Sequence, residues 1–138
     1  MANPLITNFD SSKTFVWNPR TATGTYDNST YDDVTLAKGT VMGRVSSTGM
    51  LVPLTSGASN GSQFPVGILL EETVIESQSE KELTIVVAGD VDENKLVFQG
   101  SDTLDTVVSS RRLRDRIGSD TVGNKLVGGD QLTGYDNQ

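Results

Sequence analysis

Across residues 34–117 the apolar side chains come in short runs, each cut off by a polar turn. In order they are VMGRV at 41–45, MLVPL at 50–54, VGILL at 66–70, TVI at 73–75 and LTIVVA at 83–88. Runs this short and rich in β-branched residues, divided by Gly, Ser and Asn, are the pattern of strands. A helix would instead repeat its apolar positions every three or four residues over ten or more. The constraint predicts a mainly β chain: a small compact domain, a barrel or sandwich of hairpins, with little helix.

Local signals refine this. Ser47-Thr48-Gly49 predicts a hairpin between 41–45 and 50–54. Pro53 cannot donate to a ladder, so its strand lies at an edge or ends there. Val66, Gly67, Ile68, Leu69 and Leu70 are continuously apolar, as in a strand buried on both faces. Residues 73–75 and 83–88 read as a second hairpin around a polar tip at 76–81, ended by Gly89. The best helix candidate is 108–117, with Gly118 as its C-terminal cap. There Leu113 and Ile117 fall on one face, while Leu104, Val107 and Val108 fall on another.

The apolar content is unevenly spread. Residues 18–33, NPRTATGTYDNSTYDD, contain no Leu, Ile, Val or Met. The chain therefore divides into an extended N-terminal arm at 1–33, a β-rich core at 34–118 and a C-terminal extension at 119–138. Within the arm, Thr14, Phe15, Val16 and Trp17 suit a strand. Two readings stay open for that segment: it orders against a partner, or it is an edge strand of its own domain. A core of about 85 residues buries proportionally little surface, a condition under which oligomerisation helps.

Composition narrows the function. The chain has neither Cys nor His, which removes disulfides, Cys/His metal sites and the usual general base near neutral pH. Its net charge of −7 disfavours nucleic acid, whose affinity for proteins comes largely from cations on phosphates. Residues 71–105 hold ten acids against Lys81 and Lys95, a local balance of −8, and Arg111, Arg112, Arg114 and Arg116 follow. That cluster reads first as a solvated face, then as a grip on the acidic segment of a neighbouring subunit. Asp90-Val91-Asp92-Glu93-Asn94 begins like a calcium loop, but Lys95 and Ser101 stand where the loop needs Gly and Glu; a solvated turn after a strand is the default. The pairs Asp32-Asp33, Glu71-Glu72 and Asp92-Glu93 are adjacent, and neighbours on a strand point to opposite faces. No apolar stretch approaches the roughly 20 residues of a membrane-spanning helix, and MANPLITNFD has no secretory character. The expectation is a non-enzymatic protein made in the cytoplasm, with no cofactor, metal, membrane or small-molecule substrate.

In order along the chain stand Gly39, Val41 and Gly43, then Leu51-Val52-Pro53, a loop at 58–62, Val66-Gly67-Ile68-Leu69, and an apolar strand ending at Gly89 before Glu93-Asn94-Lys95-Leu96. This ordered set resembles the lambda-type head decoration (capsid cement) protein family of tailed phages over about 60 residues. The resemblance implies a β-tulip-like fold without an active site. It also implies a homotrimer at local threefold positions on the outer surface of the expanded head, stabilising the virion against internal DNA pressure. Its partner would be the major capsid protein, reached by a strand of the N-terminal arm: here Phe9, Thr14, Phe15, Val16, Trp17, Asn18, Pro19 and Arg20. The signature residues Gly39, Val41, Gly43, Pro53, Val66, Gly67, Ile68, Leu69 and Gly89 would belong to the core. Competing readings are another virion part, such as a head fibre base or tail-associated β module, and a carbohydrate- or cell-surface-binding module.

Overall fold

A computed structural model describes residues 16–117 and 124–127. Its spine is β7 (Ser79–Asp92), a strand of 14 residues. Along one edge β7 pairs antiparallel with β1 (Val16–Asn28), from Val16 opposite Val91 to Asn28 opposite Ser79. Its other edge takes β5 (Pro65–Leu69) antiparallel at Val86 and Ile85, and β10 (Asn124–Val127) parallel at 89–92. Beyond β5 come β3 (Val41–Arg44) and β4 (Leu51–Pro53), giving the order β1-β7-β5-β3-β4. Two small ribbons flank this sheet: β2 (Val34–Leu36) with β6 (Thr73–Ile75), and β8 (Val107–Val108) with β9 (Arg111–Arg112). The chain is mainly β with antiparallel sheets, as its short apolar runs predict.

The runs are continuously apolar because the sheet is covered on both faces. Successive strand residues point to opposite sides. Val41, Ile68 and Val86 accordingly join one buried cluster, with Leu54, Val91, Val108, Leu113 and Ile117. Their chain neighbours Met42, Leu69 and Ile85 join the other, with Leu36, Leu51, Ile75 and Leu83. Over this second cluster the sheet curls until β4 faces β1, where a Cβ on Gly24 would come within 2.7 Å of Leu51 Cδ1. Close approach also explains two signature glycines. A Cβ on Gly43 would sit 2.4 Å from the Ser62 carbonyl oxygen, and one on Gly67 would sit 2.7 Å from Ile85 Cδ1.

Asn28 closes the far end of the barrel. It is 1% exposed, and its Nδ2 donates to the carbonyls of Asp32, Ile75 and Glu76 at 2.9–3.1 Å. Its Oδ1 accepts from the Thr30 amide and hydroxyl. One side chain thus satisfies backbone groups from two loops that no ladder reaches.

Several expectations need correction. Residues 73–75 pair with β2 and not with 83–88, because the edges of β7 are already taken by β1 and β5. The strand runs on through Gly89, in a left-handed conformation at φ 145°, to Asp92. The only α-helix among the described residues, α1 (Leu113–Ile117), is a little over one turn. Ser109 and Ser110 both have positive φ and reverse the chain between β8 and β9, which breaks the expected helix at 108–117. Leu113 and Ile117 do share a buried face; Gly118 lies outside the described residues. Of the expected arm, residues 16–28 lie in the sheet as β1, paired along β7, while Thr14 and Phe15 lie outside the described residues. Backbone pairing needs no aliphatic side chains, and Thr, Tyr and Ala suffice for it.

Substitution at Gly43 separates packing from mere chain stiffness. Gly43→Ala drives a methyl into backbone and should lower unfolding free energy by about 2 kcal/mol or more, whereas Gly57→Ala, with nothing within 4 Å, should change it by less than about 0.5 kcal/mol. Urea denaturation of the two variants checks both.

Candidate functional site

Nothing in the described residues assembles reactive chemistry. Each adjacent acid pair is split or solvated. Asp33 accepts from the Ser77 amide at 2.9 Å, and Glu71 and Glu72 are exposed. Asp92 is buried and accepts from the Asn94 amide at 3.0 Å, capping a 3-10 turn at Glu93–Lys95. That corrects the solvated turn expected there: the acid is a cap folded into the end of β7. Among the described residues no group of three or more His, Cys, Asp or Glu could hold a metal ion. No described helix is long and apolar enough to cross a membrane.

The arginine cluster is divided by function. Arg116 donates to the Val108 carbonyl at 2.6 and 3.1 Å and to that of Ser109 at 3.3 Å, and its guanidinium lies 4.8 Å from the centre of the Phe64 ring. It thereby anchors the left-handed Ser109-Ser110 turn, which glycine or asparagine would adopt more readily. Arg114 forms a close charge-assisted hydrogen bond with Glu93. That bond, reinforced by the charges of Glu93, Asp105 and Asp115, holds its guanidinium above the ordinary arginine value against the opposing effect of burial. Arg111 and Arg112 are exposed, and Arg112 makes only loose pairs with Asp105 and Asp115, at 3.8 and 3.5 Å. The cluster is therefore half clasp and half solvated face.

These parts gather at one end of β7. There β1 begins at Val16, opposite Val91, and β10 ends at Val127, opposite Asp92. The first residue of β1 and the last of β10 thus lie at the same end of the sheet, on opposite edges of one strand. Of the arm residues singled out in the sequence, Phe9, Thr14 and Phe15 lie outside the described residues. Val16, Trp17, Asn18, Pro19 and Arg20 open β1, with the register shifting on either side of Arg20. Val16 packs against the first core cluster, and Pro19 and Arg20 are exposed. The other end of β7 is acidic: Asp27, Asp32, Asp33, Glu71, Glu72, Glu76, Glu80 and Glu82 are all exposed there.

The signature residues lie along the barrel wall. Val41, Ile68 and Leu69 are buried, Val66 is half-buried and Pro53 ends the edge strand β4. Gly39 carries a left-handed φ of 89°, donates its amide to the Leu69 carbonyl and accepts from the Val97 amide, each at 2.9 Å. The sequence reading missed Asn28 and the Ser109-Ser110 turn. An Asn between two polar loops was a signal for the first; for the second there was none, since Ser-Ser is not a turn pair.

Residues 21–109 match a family described as bacteriophage lambda head decoration protein D. The match begins inside β1 and ends in the β8–β9 turn. Among curated proteins, none matches the chain.

The division of the arginines can be measured. Arg116→Ala removes a charged donor from two carbonyls and should cost about 2 kcal/mol of stability. Arg111→Ala, on the exposed side of the hairpin, should stay within about 0.5 kcal/mol of the parent. Equal losses in thermal or urea melts would contradict the division.

Proposed function

This chain belongs to the bacteriophage lambda head decoration protein D family, and on that premise we propose that it decorates a tailed-phage head, with the major capsid protein as its partner. In this reading it binds as a homotrimer on the outer surface, at local threefold positions of the expanded shell. Bound there, it stabilises the shell against the pressure of packaged DNA. The observation that carries the reading is the extent of the family match, residues 21–109, which takes in most of β1, all of β2 to β7 and β8. The same reading makes the protein a structural one and not an enzyme.

The geometry supports a division of labour. A barrel with both sheet faces covered suits a rigid body, and 15 residues precede β1. Fully extended, such a segment spans up to about 50 Å, long enough to cross onto a neighbouring protein. We assign the capsid contact to this leading segment, with Phe9, Thr14 and Phe15 as its apolar and β-forming residues and Val16–Arg20 as its root in the sheet. Ordering a segment on binding offsets part of its contact energy, so each arm binds modestly. Three arms on one trimer make the later contacts intramolecular, and avidity then exceeds single-arm affinity by about 10²–10⁴.

Removing residues 1–15 takes nothing from β1. The truncated protein should keep its melting temperature and its solution mass, about three times 14.8 kDa less the deleted residues, yet fail to co-sediment with expanded heads. Undiminished binding by the truncated protein would rule out the arm as the contact.

A further inference from the structure

The β8–β9 hairpin and the acidic end of β7 are complementary in charge, and among the described residues no ion pair joins them. On the hairpin, Val107 is 61% exposed with Arg112 directly opposite it on the paired strand, and Arg111, opposite the buried Val108, is exposed as well. The hairpin is fixed in shape by Arg116 on the carbonyls of its turn, so little order has to be gained on contact. Elsewhere on the molecule lies a hollow of about 440 Å³ between residues 70–74 and 81–84. Glu71, Glu72 and Glu82 line it, with Leu70 and Leu83 beneath and Val74, 49% exposed, on its lip. The wall's one cation, Lys81, lies with its ammonium 3.4 Å from the Val74 carbonyl. Among the described residues, Arg112 pairs only loosely, with Asp105 at 3.8 Å and Asp115 at 3.5 Å, and Arg111 donates to the Asp115 carbonyl at 3.4 Å.

We propose that copies of this chain meet head to tail, the β8–β9 hairpin of one setting Val107, Arg111 and Arg112 into the acidic hollow beside β6 and β7 of the next. This rests on the homotrimer reading above and names the surfaces that build it. Knob and hollow differ, so the contact is heterologous, and such contacts close into rings when the rotation between copies allows it. Opposite charge around a small apolar centre gives orientation and register, while like charges in any other arrangement repel. The occupant is a second copy because the chain itself carries both halves: an exposed basic hairpin on an acidic protein and a concave acidic surface of matching scale.

Charge exchange tests this on the full-length protein by sedimentation equilibrium. Arg111→Glu with Arg112→Glu should weaken self-association at least tenfold, as should Glu72→Lys with Glu82→Lys. The chain carrying all four changes should recover most of the lost association. Loss without recovery in the fourfold variant, or no loss in either double variant, overturns the proposal. Should a double variant fail to fold by circular dichroism, the milder Arg112→Ala and Glu72→Ala decide the matter: each alone should weaken association, and together by less than the product of the two, whereas independent effects overturn it. A parent protein that is monomeric at every concentration sinks the homotrimer reading itself. A trimeric parent whose charge variants stay fully trimeric sinks only the surfaces named here.

Discussion

Every layer of the fold is hung on the pairing of β7. One edge is occupied from end to end by β1, and the other is shared between β5 and β10. An interior strand of this length satisfies its backbone groups on both sides, which is the condition for burying it. Its side chains then alternate between the two core clusters, Leu83 and Ile85 to one and Val86 and Val91 to the other. Remove that strand and neither cluster has a wall.

A barrel of this size leaves long connections over its surface, and with no cysteines they are tied by hydrogen bonds. Asn28 holds the far end. The carboxylate of Asp102 accepts from the Ser56 amide and hydroxyl at 3.0 and 2.6 Å, pinning the 55–63 loop. Arg116 pins the β8–β9 turn. Each joins residues that ladders leave unpaired, and each uses a side chain with several donors or acceptors in a fixed array. The same devices keep acid groups out of shared sites. Asp92 and Asp33, adjacent to other acids in sequence, spend their oxygens on backbone amides.

How much of this was legible follows from which forces leave marks in local sequence. Hydrophobic burial does, and the runs at 41–45, 50–54 and 66–70 stand where β3, β4 and β5 lie. Pro53 marked the end of an edge strand because its missing donor has one consequence only. Strand β1 left almost no mark, since its outer residues Thr21, Ala22 and Thr23 are exposed and its contribution is made through backbone. The arginine cluster misled in the opposite way: Leu113 and Ile117 carry a helical spacing, but the turn before them costs the helix its first half. In the arm, residue type marked Thr14 to Trp17 as strand-forming, and the capsid contact proposed for them came from the resemblance alone.

By itself the sequence determined the β class, the stretch that holds the core, the absence of His and Cys chemistry, and the separation of acidic from basic segments. These are properties of composition and of local period, and no neighbour is needed to read them. Only the tertiary structure decided that β6 sits beside β2, that β10 joins β7 in parallel, that β1 starts and β10 stops at the same end of β7 and that the arginines divide into clasp and exposed hairpin. The reason is that main-chain hydrogen bonds are the same for every residue but proline. Which strand lies beside which is settled by the packing of the whole chain, where a partner dozens of residues away competes on equal terms with the next one along.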